Sequence, residues 1–319
     1  MKNILWLIIW IICIWANIGY AEPAEKIYPL KQTKEAENIT IVYTGSTNGY
    51  LESCNCKSNP FGGLVRRAAC FKKLRKEMDN LIFVDSGDLF PAHPQEIQIN
   101  YCLRVMELLE YDAVVLGDQE FVLGCNFIHQ KIKKNKLPFI VSNLSLCTER
   151  LCIPLAPPCV IKQVGKYTVG IIGVISKDAF AFFPKEKIEN LDIHDPVNAL
   201  KSSIAMLKKE DQVDLIVVLS HMGYKMDQEM AERVEGIGII VGGHSQVLLQ
   251  TPVRIGDTVI LQPGEKGQFV GVFTINMKNR RMNNRMIPLN KDIPDDKGVR
   301  RLIDRYKKEV EEKTKRLEF

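Results

Sequence analysis

Strand-length runs of Val, Ile and Leu alternate with longer amphipathic stretches through most of this chain, and that alternation leaves few folds open to it. The runs are 39-ITIVYTG-45, 81-LIFVDSGD-88, 112-DAVVLGD-118, 138-PFIVSNL-144, 167-YTVGIIGV-174, 213-VDLIVVLSH-221 and 237-IGIIVGGH-244. Helix-like segments lie between them at 64–78, 97–111, 125–135, 196–210 and 225–234. A near-continuous apolar run belongs to a strand buried on both faces, and β–α alternation belongs to sheets covered by helices. From 253 onward the pattern turns to short strands, 258-TVILQPG-264 and 268–275, and then to a charged final helix over 295–317. The class is α/β, and 319 residues with 46% hydrophobic content suffice for a full core in one large domain.

The first 21 residues stand apart from this pattern. Lys2 supplies a positive start, Ile4 to Ala16 an apolar core, and 19-GYA-21 a small-residue cleavage site before Glu22. The apolar core is short for a bilayer span, so a signal peptide over 1–21 is expected rather than a retained anchor. That places the mature chain in the periplasm or outside the cell, with no stable membrane anchor after cleavage. Trp6, Trp10, Trp15 and Cys13 leave with the segment, which removes all three Trp and leaves eight of nine Cys. Residues 22–38 are polar and charged and read as a linker. Loss of Lys2 takes the formal charge from +5 to +4, an ordinary value that gives no argument for nucleic acid. The basic run 278-KNRRMNNRM-286 reads as a solvated turn between two strands.

Eight Cys in an exported chain are compatible with disulfides without requiring them. Cys54 with Cys56, and Cys147, Cys152 and Cys159, form local clusters, whereas Cys70, Cys102 and Cys125 fall in helix-like segments and read as small packed hydrophobes. Pairings are not deducible from spacing.

Polar side chains gather at the carboxyl ends of four strands, where α/β proteins place their ligand sites. These ends are 85-DSGD-88, 117-GDQE-120, 220-SHMG-223 and 242-GGHSQ-246. A strand-end Asp taken alone is usually a cap or turn former. Taken together, Asp88, Asp118, His221 and His244 supply two carboxylates and two imidazoles, a donor set suited to Zn, Mn or Fe. About one divalent metal per chain is expected there.

The motif series 44-TGSTNG-49, 62-GGLVRRA-68, 85-DSGD-88, 111-YDAVVLGDQEF-121, 219-LSHMG-223 and 242-GGHS-245 resembles the metallophosphoesterase domain of the 5′-nucleotidase family, within the calcineurin-like superfamily. The resemblance covers about residues 39–289 and implies a four-layer α/β/β/α sandwich with a dimetal site at the strand ends. Carried over residue by residue, it divides the site into two halves. Ser46 and Asn48 stand where the family's D-x-H turn has Asp and His, and Gln246 stands for the second His of G-H-x-H, so the first metal keeps only Asp88. The second metal keeps Asp88, His221 and His244, with Asp118 at the family's Asn. Gln119 occupies the position of the catalytic His and cannot give or take a proton.

Close to the altered turn lies Cys54-x-Cys56. Three readings stay open for it: soft ligands for Zn or Cu together with Asn48 or His93, a redox pair, or structural cysteines bonded elsewhere. Gly62-Gly63 opens the helix carrying Arg66 and Arg67, either as an anion-binding helix start or as a tight turn.

Larger members of the family add a nucleoside-gripping C-terminal domain; here about 30 residues follow the last strand, too few for one. The expected organisation is therefore a metallophosphoesterase-like domain over 39–290 and a C-terminal helix over 291–319. Val299, Leu302, Ile303, Tyr306 and Val310 share one face of that helix, able to dock on the sheets or on a protein partner. Two functions compete: an exported hydrolase of a small phosphorylated substrate, weakened at one half-site, and a metal-binding or scaffold protein that keeps the fold without catalysis.

Overall fold

The computed structural model describes residues 37–53 and 61–317. The expected signal peptide, the linker up to residue 36, and Cys54 and Cys56 lie outside the described residues.

Parallel pairing starts with β1 (Asn38–Thr44), β2 (Leu81–Asp85), β3 (Ala113–Val115) and β4 (Phe139–Ile140). The crossovers carry α1 (Leu64–Glu77), α2 (Glu96–Leu109) and α3 (Cys125–Lys134). A hairpin follows, β5 (Leu144–Cys147) with β6 (Cys152–Pro154), closed by a Cys147–Cys152 disulfide. The second sheet begins with β7 (Cys159–Val164) and β8 (Tyr167–Ile175). Next come a four-residue helix, α4 (Lys185–Ile188), and β9 (Leu191–Ile193), which pairs back onto β5. Then follow α5 (Pro196–Met206), β10 (Leu215–His221), α6 (Tyr224–Arg233), β11 (Ile239–Gly242), β12 (Val253–Ile255) and β13 (Thr258–Leu261). The chain returns to the first sheet through β14 (Phe269–Asn276) and β15 (Met282–Pro288), and ends in α7 (Lys297–Leu317).

The sheet orders are β15-β14-β1-β2-β3-β4 and β12-β13-β11-β10-β8-β7. Side-chain alternation shows how they stack. Ile39, Ile41 and Tyr43 of β1 join Val169, Ile171, Val217 and Leu219 of the second sheet in one buried cluster between the sheets. Val42 points the other way, into a cluster with α1 and α2. Ile172, Val174, Ile216 and Val218 likewise face α5 and α6. Two sheets face to face with helices on both outer faces make the four-layer α/β/β/α sandwich. A one-residue slip of β1 would exchange its two faces, and each fully buried Ile or Val is worth roughly 1.5–3 kcal/mol over an exposed one.

Several sequence expectations need correction. The run 138–144 is not one strand: β4 ends at Ile140 and β5 starts at Leu144. The break is held by Asn143, whose side chain accepts from Ile175 N and donates to Ile175 O and His194 O. The small β6-β5-β9 sheet has no counterpart in the sequence reading. The helix expected over 196–210 is α-helical only to Met206 and closes in a wider turn over Leu207–Asp211. The final helix starts at Lys297, where Asp296 caps it by accepting from Gly298 N and Val299 N. Its Val299 and Ile303 are buried and Leu302 and Tyr306 partly so, all against the α1–α2 layer, while Val310 is exposed.

Cys70, Cys102 and Cys125 are free and buried, and burial pushes the Cys102 thiol up to about 12, an inert state that fits packing. Arg67 is not presented to an anion. It is fully buried, 3.5 Å from Asp85, and donates to Thr47 Oγ1 at 2.8 Å and Tyr111 Oη at 3.1 Å. Burial lifts the Asp85 carboxyl above its usual range against the pull of this guanidinium.

Candidate metal centre

The end of β2 turns sharply. Asp85 Oδ1 accepts from Gly87 N at 3.0 Å, Gly87 has φ +89° and Asp88 itself sits at φ +57°. A left-handed non-glycine residue is held there only if its surroundings enforce it. They do so through Glu120, whose buried carboxylate accepts from four backbone N–H groups: Gly117 at 2.6 Å, Leu89 at 2.7 Å, Asp88 at 3.1 Å and Phe90 at 3.2 Å. One side chain thus clamps the loop after β2 to the loop after β3. Burial and the neighbouring Asp88 charge push its carboxyl up to about 7. The four N–H groups work in the opposite sense, favouring the anion. Glu120 stands in the quoted 117-GDQE-120 motif, yet its clamping role is not read from sequence; the available signal was an acid with no partner at helical spacing.

From the second sheet, β10 delivers His221 and the turn after β11 delivers His244 at φ +63°. His221 is fully buried, and its Nδ1 donates to Ser86 O at 2.7 Å, which turns Nε2 toward the two carboxylates. That Nε2 lies 3.2 Å from both Asp88 Oδ1 and Asp118 Oδ1. His244 Nδ1 lies 3.1 Å from Asp118 Oδ1, and the two imidazoles meet edge to face with centroids 5.3 Å apart. Burial opposes a charge on His221, but Asp88 and Asp118 outweigh it and hold its pKa well above the ordinary value. Asp118 is shifted down: burial works against this, and the hydrogen bonds from His221 and His244 prevail.

Close approach of the loops depends on glycine. A Cβ on Gly117 would lie 2.5 Å from Asp88 Oδ1 and 2.7 Å from His221 Cε1. The structure therefore brings together Asp88, Asp118, His221 and His244, with one ligand atom from each lying within 4.8 Å of all the others. Two carboxylates and two imidazoles converge with one tautomer set from outside, a donor set that fits a divalent transition metal.

The other positions are arranged differently. Ser46 (φ +44°) and Asn48 (φ +52°) run beside the Asp88 turn, Ser46 N donating to Gly87 O and Asn48 N to Asp88 O, each at 2.8 Å. Their side-chain oxygens, Ser46 Oγ and Asn48 Oδ1, are buried and accept no hydrogen bond from the described residues. Gln246 is half-buried at φ +57°. Gln119 donates through its backbone N and its side-chain Nε2 to Asp88, at 3.2 and 3.3 Å, while its Oε1 is buried and without a partner among the described residues.

No family model matches the chain. The 5′-nucleotidase of Rattus norvegicus is 31% identical over 243 residues, covering 70% of this chain and 41% of that protein. Protein 5NUC of Lutzomyia longipalpis is 26% identical over 311 residues, covering 86% of this chain and 54% of its own length. The crystal structure of the 5′-nucleotidase precursor from Thermus thermophilus superposes with a TM-score of 0.77 at 26% identity, over 86% of this chain and 59% of that one. The calcineurin-like phosphoesterase YfkN from Bacillus subtilis shares the fold over 87% of this chain and 99% of its own, with a TM-score of 0.72 at 20% identity. The chain spans about half the length of the curated relatives it matches. With the two-sheet sandwich, the strand-end cluster and these relatives in agreement, the chain belongs to the 5′-nucleotidase family of calcineurin-like metallophosphoesterases.

Proposed function

We propose that the protein is an exported metal-dependent phosphoester hydrolase that works from one intact half of its site. The observation that carries this is the convergence of Asp88, Asp118, His221 and His244, with His221 oriented by Ser86 O. These four residues would hold one divalent transition metal. Bound there, such an ion would supply Lewis-acid activation of a water and stabilisation of negative charge on the phosphoryl oxygens. Glu120 keeps Asp88 at its strained φ, and Gln119 holds the Asp88 carboxylate by two N–H groups. Ser46, Asn48 and Gln246 offer neutral oxygens and nitrogens where the family has Asp and His, so the first half-site is read as lost. Family membership supports phosphoester chemistry, and the expected signal peptide supports export to the periplasm or beyond. The substrate is read as a small phosphorylated molecule. A protein partner at the C-terminal helix would have to use the stretch around exposed Val310, because the start of that helix is occupied by the α1–α2 layer.

Gln119 favours a second reading. Its amide does not act as an acid or base near neutral pH and is held on Asp88, and loss of one transition-state-stabilising group alone costs about 10²–10³ in rate. On that reading the protein binds metal and ligand without turnover. Metal analysis of the purified protein, with phosphatase assays across Mn, Zn, Fe and Co, decides between them. Metal-dependent turnover of a phosphomonoester or phosphodiester establishes the hydrolase, and stoichiometric metal without turnover establishes the binding protein.

A further inference from the structure

Ile175, the last residue of β8, pairs with His221 in the parallel register of β8 and β10. The loop that follows, 176-SKDAFAFFPKEK-187, therefore starts beside the candidate metal centre. It is anchored along its length. Ser176 Oγ accepts from Asp178 N at 2.9 Å, Phe180 is buried edge-on against Phe121 at 5.3 Å, and Phe183 packs edge-on against Phe180 at 5.7 Å. At the far end Cys125 Sγ donates to Lys187 O at 3.2 Å. Between Phe180 and Phe183, Phe182 is fully exposed, more so than any other large apolar side chain among the described residues.

A single exposed apolar side chain is ordinary on a protein surface. Phe182, however, lines a cavity of about 420 Å³ that also contains Asp118, Gln119 and His244. The size matches a small-molecule site, and so does the lining, with polar groups converging on an otherwise apolar wall. Phe183 and Pro184 continue that wall, and Lys187 adds a cation. The loop is fixed on both sides of Phe182, so covering its ring with a ligand orders little additional chain.

We propose that Phe182 and Phe183 form the specificity wall of the site and select a phosphoester whose organic group is a flat apolar ring, stacked on Phe182 while the phosphate faces Asp118 and His244. This inference rests on the phosphoester reading of the metal centre. It locates recognition of the organic group within this domain.

The test is calorimetric titration of the full-length, Mn-loaded protein with two non-hydrolysable probes, phenylphosphonate and methylphosphonate. Stacking on an aromatic side chain is worth about tenfold or more in affinity, so the native protein should favour phenylphosphonate by about that factor. Phe182→Ala should reduce the preference to within about threefold, and Phe182→Trp should retain it. A nucleoside 5′-phosphonate as a third probe separates a nucleobase from a simple aryl group as the source of the ring. A preference that survives Phe182→Ala, no preference in the native protein, or no binding of either phosphonate overturns the proposal. Ring-selective binding without turnover of any phosphoester would leave the wall in place and remove the hydrolase reading. Turnover without ring selectivity would do the reverse.

Discussion

The two halves of the candidate site share one scaffold and differ in their side chains. In one half, Asp88, Asp118, His221 and His244 point at one another across 4.8 Å or less. In the other, the turn 46–48 keeps its backbone bonds to Gly87 O and Asp88 O, but Ser46 Oγ and Asn48 Oδ1 meet no donor among the described residues. The turn of this altered half is therefore held by main-chain bonds to the loop after β2 and by Arg67 on Thr47, and not by the side chains of Ser46 and Asn48. On the proposed reading, the ligand types at 46 and 48 can change without disturbing the fold, because Ser46 and Asn48 are held by main-chain bonds to a loop clamped by Glu120.

The sharpest way to break the comparison is to remove one candidate ligand from each half. His244→Ala should abolish metal binding, and Gln246→Ala should leave it near the native stoichiometry of about one, as read by elemental analysis. Equal loss from both variants, or two metals in the native protein, would end the division into halves.

Rebuilding is the next test. Ser46→Asp, Asn48→His and Gln246→His restore the family's ligand types, and Gln119→His restores a group able to stabilise the leaving oxygen. The combined variant should bind a second metal and gain phosphatase activity by about tenfold or more. Two bound metals with no activity would favour the binding-protein reading, and a native protein as fast as ordinary nucleotidases would show that the altered turn is itself functional. Because Cys54 and Cys56 follow this turn, the measurement should be repeated with both changed to Ser.

Stability offers a third contrast. Glu120→Gln sets an amide NH₂ against at least one pair of the backbone N–H groups that the carboxylate now receives. We expect a loss of about 2–4 kcal/mol in denaturant unfolding. Ser46→Ala removes a buried oxygen that has no partner among the described residues and should lie within about 0.5 kcal/mol of native. Similar values for the two variants would mean that the clamp does not hold the intact half.

A smaller effect concerns pH. Asp227 is fully buried, and burial pushes its carboxyl up to about 7 despite the hydrogen bond from Ser220 Oγ. With the folded pKa above the unfolded one, the folded state holds the proton longer. Stability from this group is therefore complete at low pH, falls as pH rises from about 4 to about 7, and levels off above that. Asp227→Asn should flatten that slope, by an amount on the order of a few kcal/mol across the window. Parallel stability curves for the two proteins between pH 4 and 8 would show that Asp227 is not the titrating group.

Smallest in consequence is a spectroscopic check on processing. If cleavage occurs before Glu22, the exported protein retains no Trp, since Trp6, Trp10 and Trp15 all precede that site. Its emission should then be that of Tyr, and a Trp band would indicate a retained leader.

The α/β class and the four strand-end side chains were legible in the sequence from local rules, whereas the four-layer stacking was legible only through the family resemblance. Period-two alternation assigns faces in β1, and polar residues at the carboxyl ends of buried strands must meet where the sheets end. What tertiary structure alone decided depends on pairs far apart in the chain. Glu120 takes its meaning from N–H groups about 30 positions upstream at Asp88 to Phe90, and Arg67 from Asp85, Tyr111 and Thr47. The helix-start motif before Arg67 left an anion site open beside the favoured tight turn, because sequence does not show that the guanidinium is already paired inside the protein. The break between β4 and β5 turned on Asn143 finding Ile175 and His194, and the place of Phe182 beside Asp118 and His244 on where the loop after β8 comes to rest. Local periodicity sets which face a side chain occupies, and only the folded chain sets which buried polar group or open cavity it meets there.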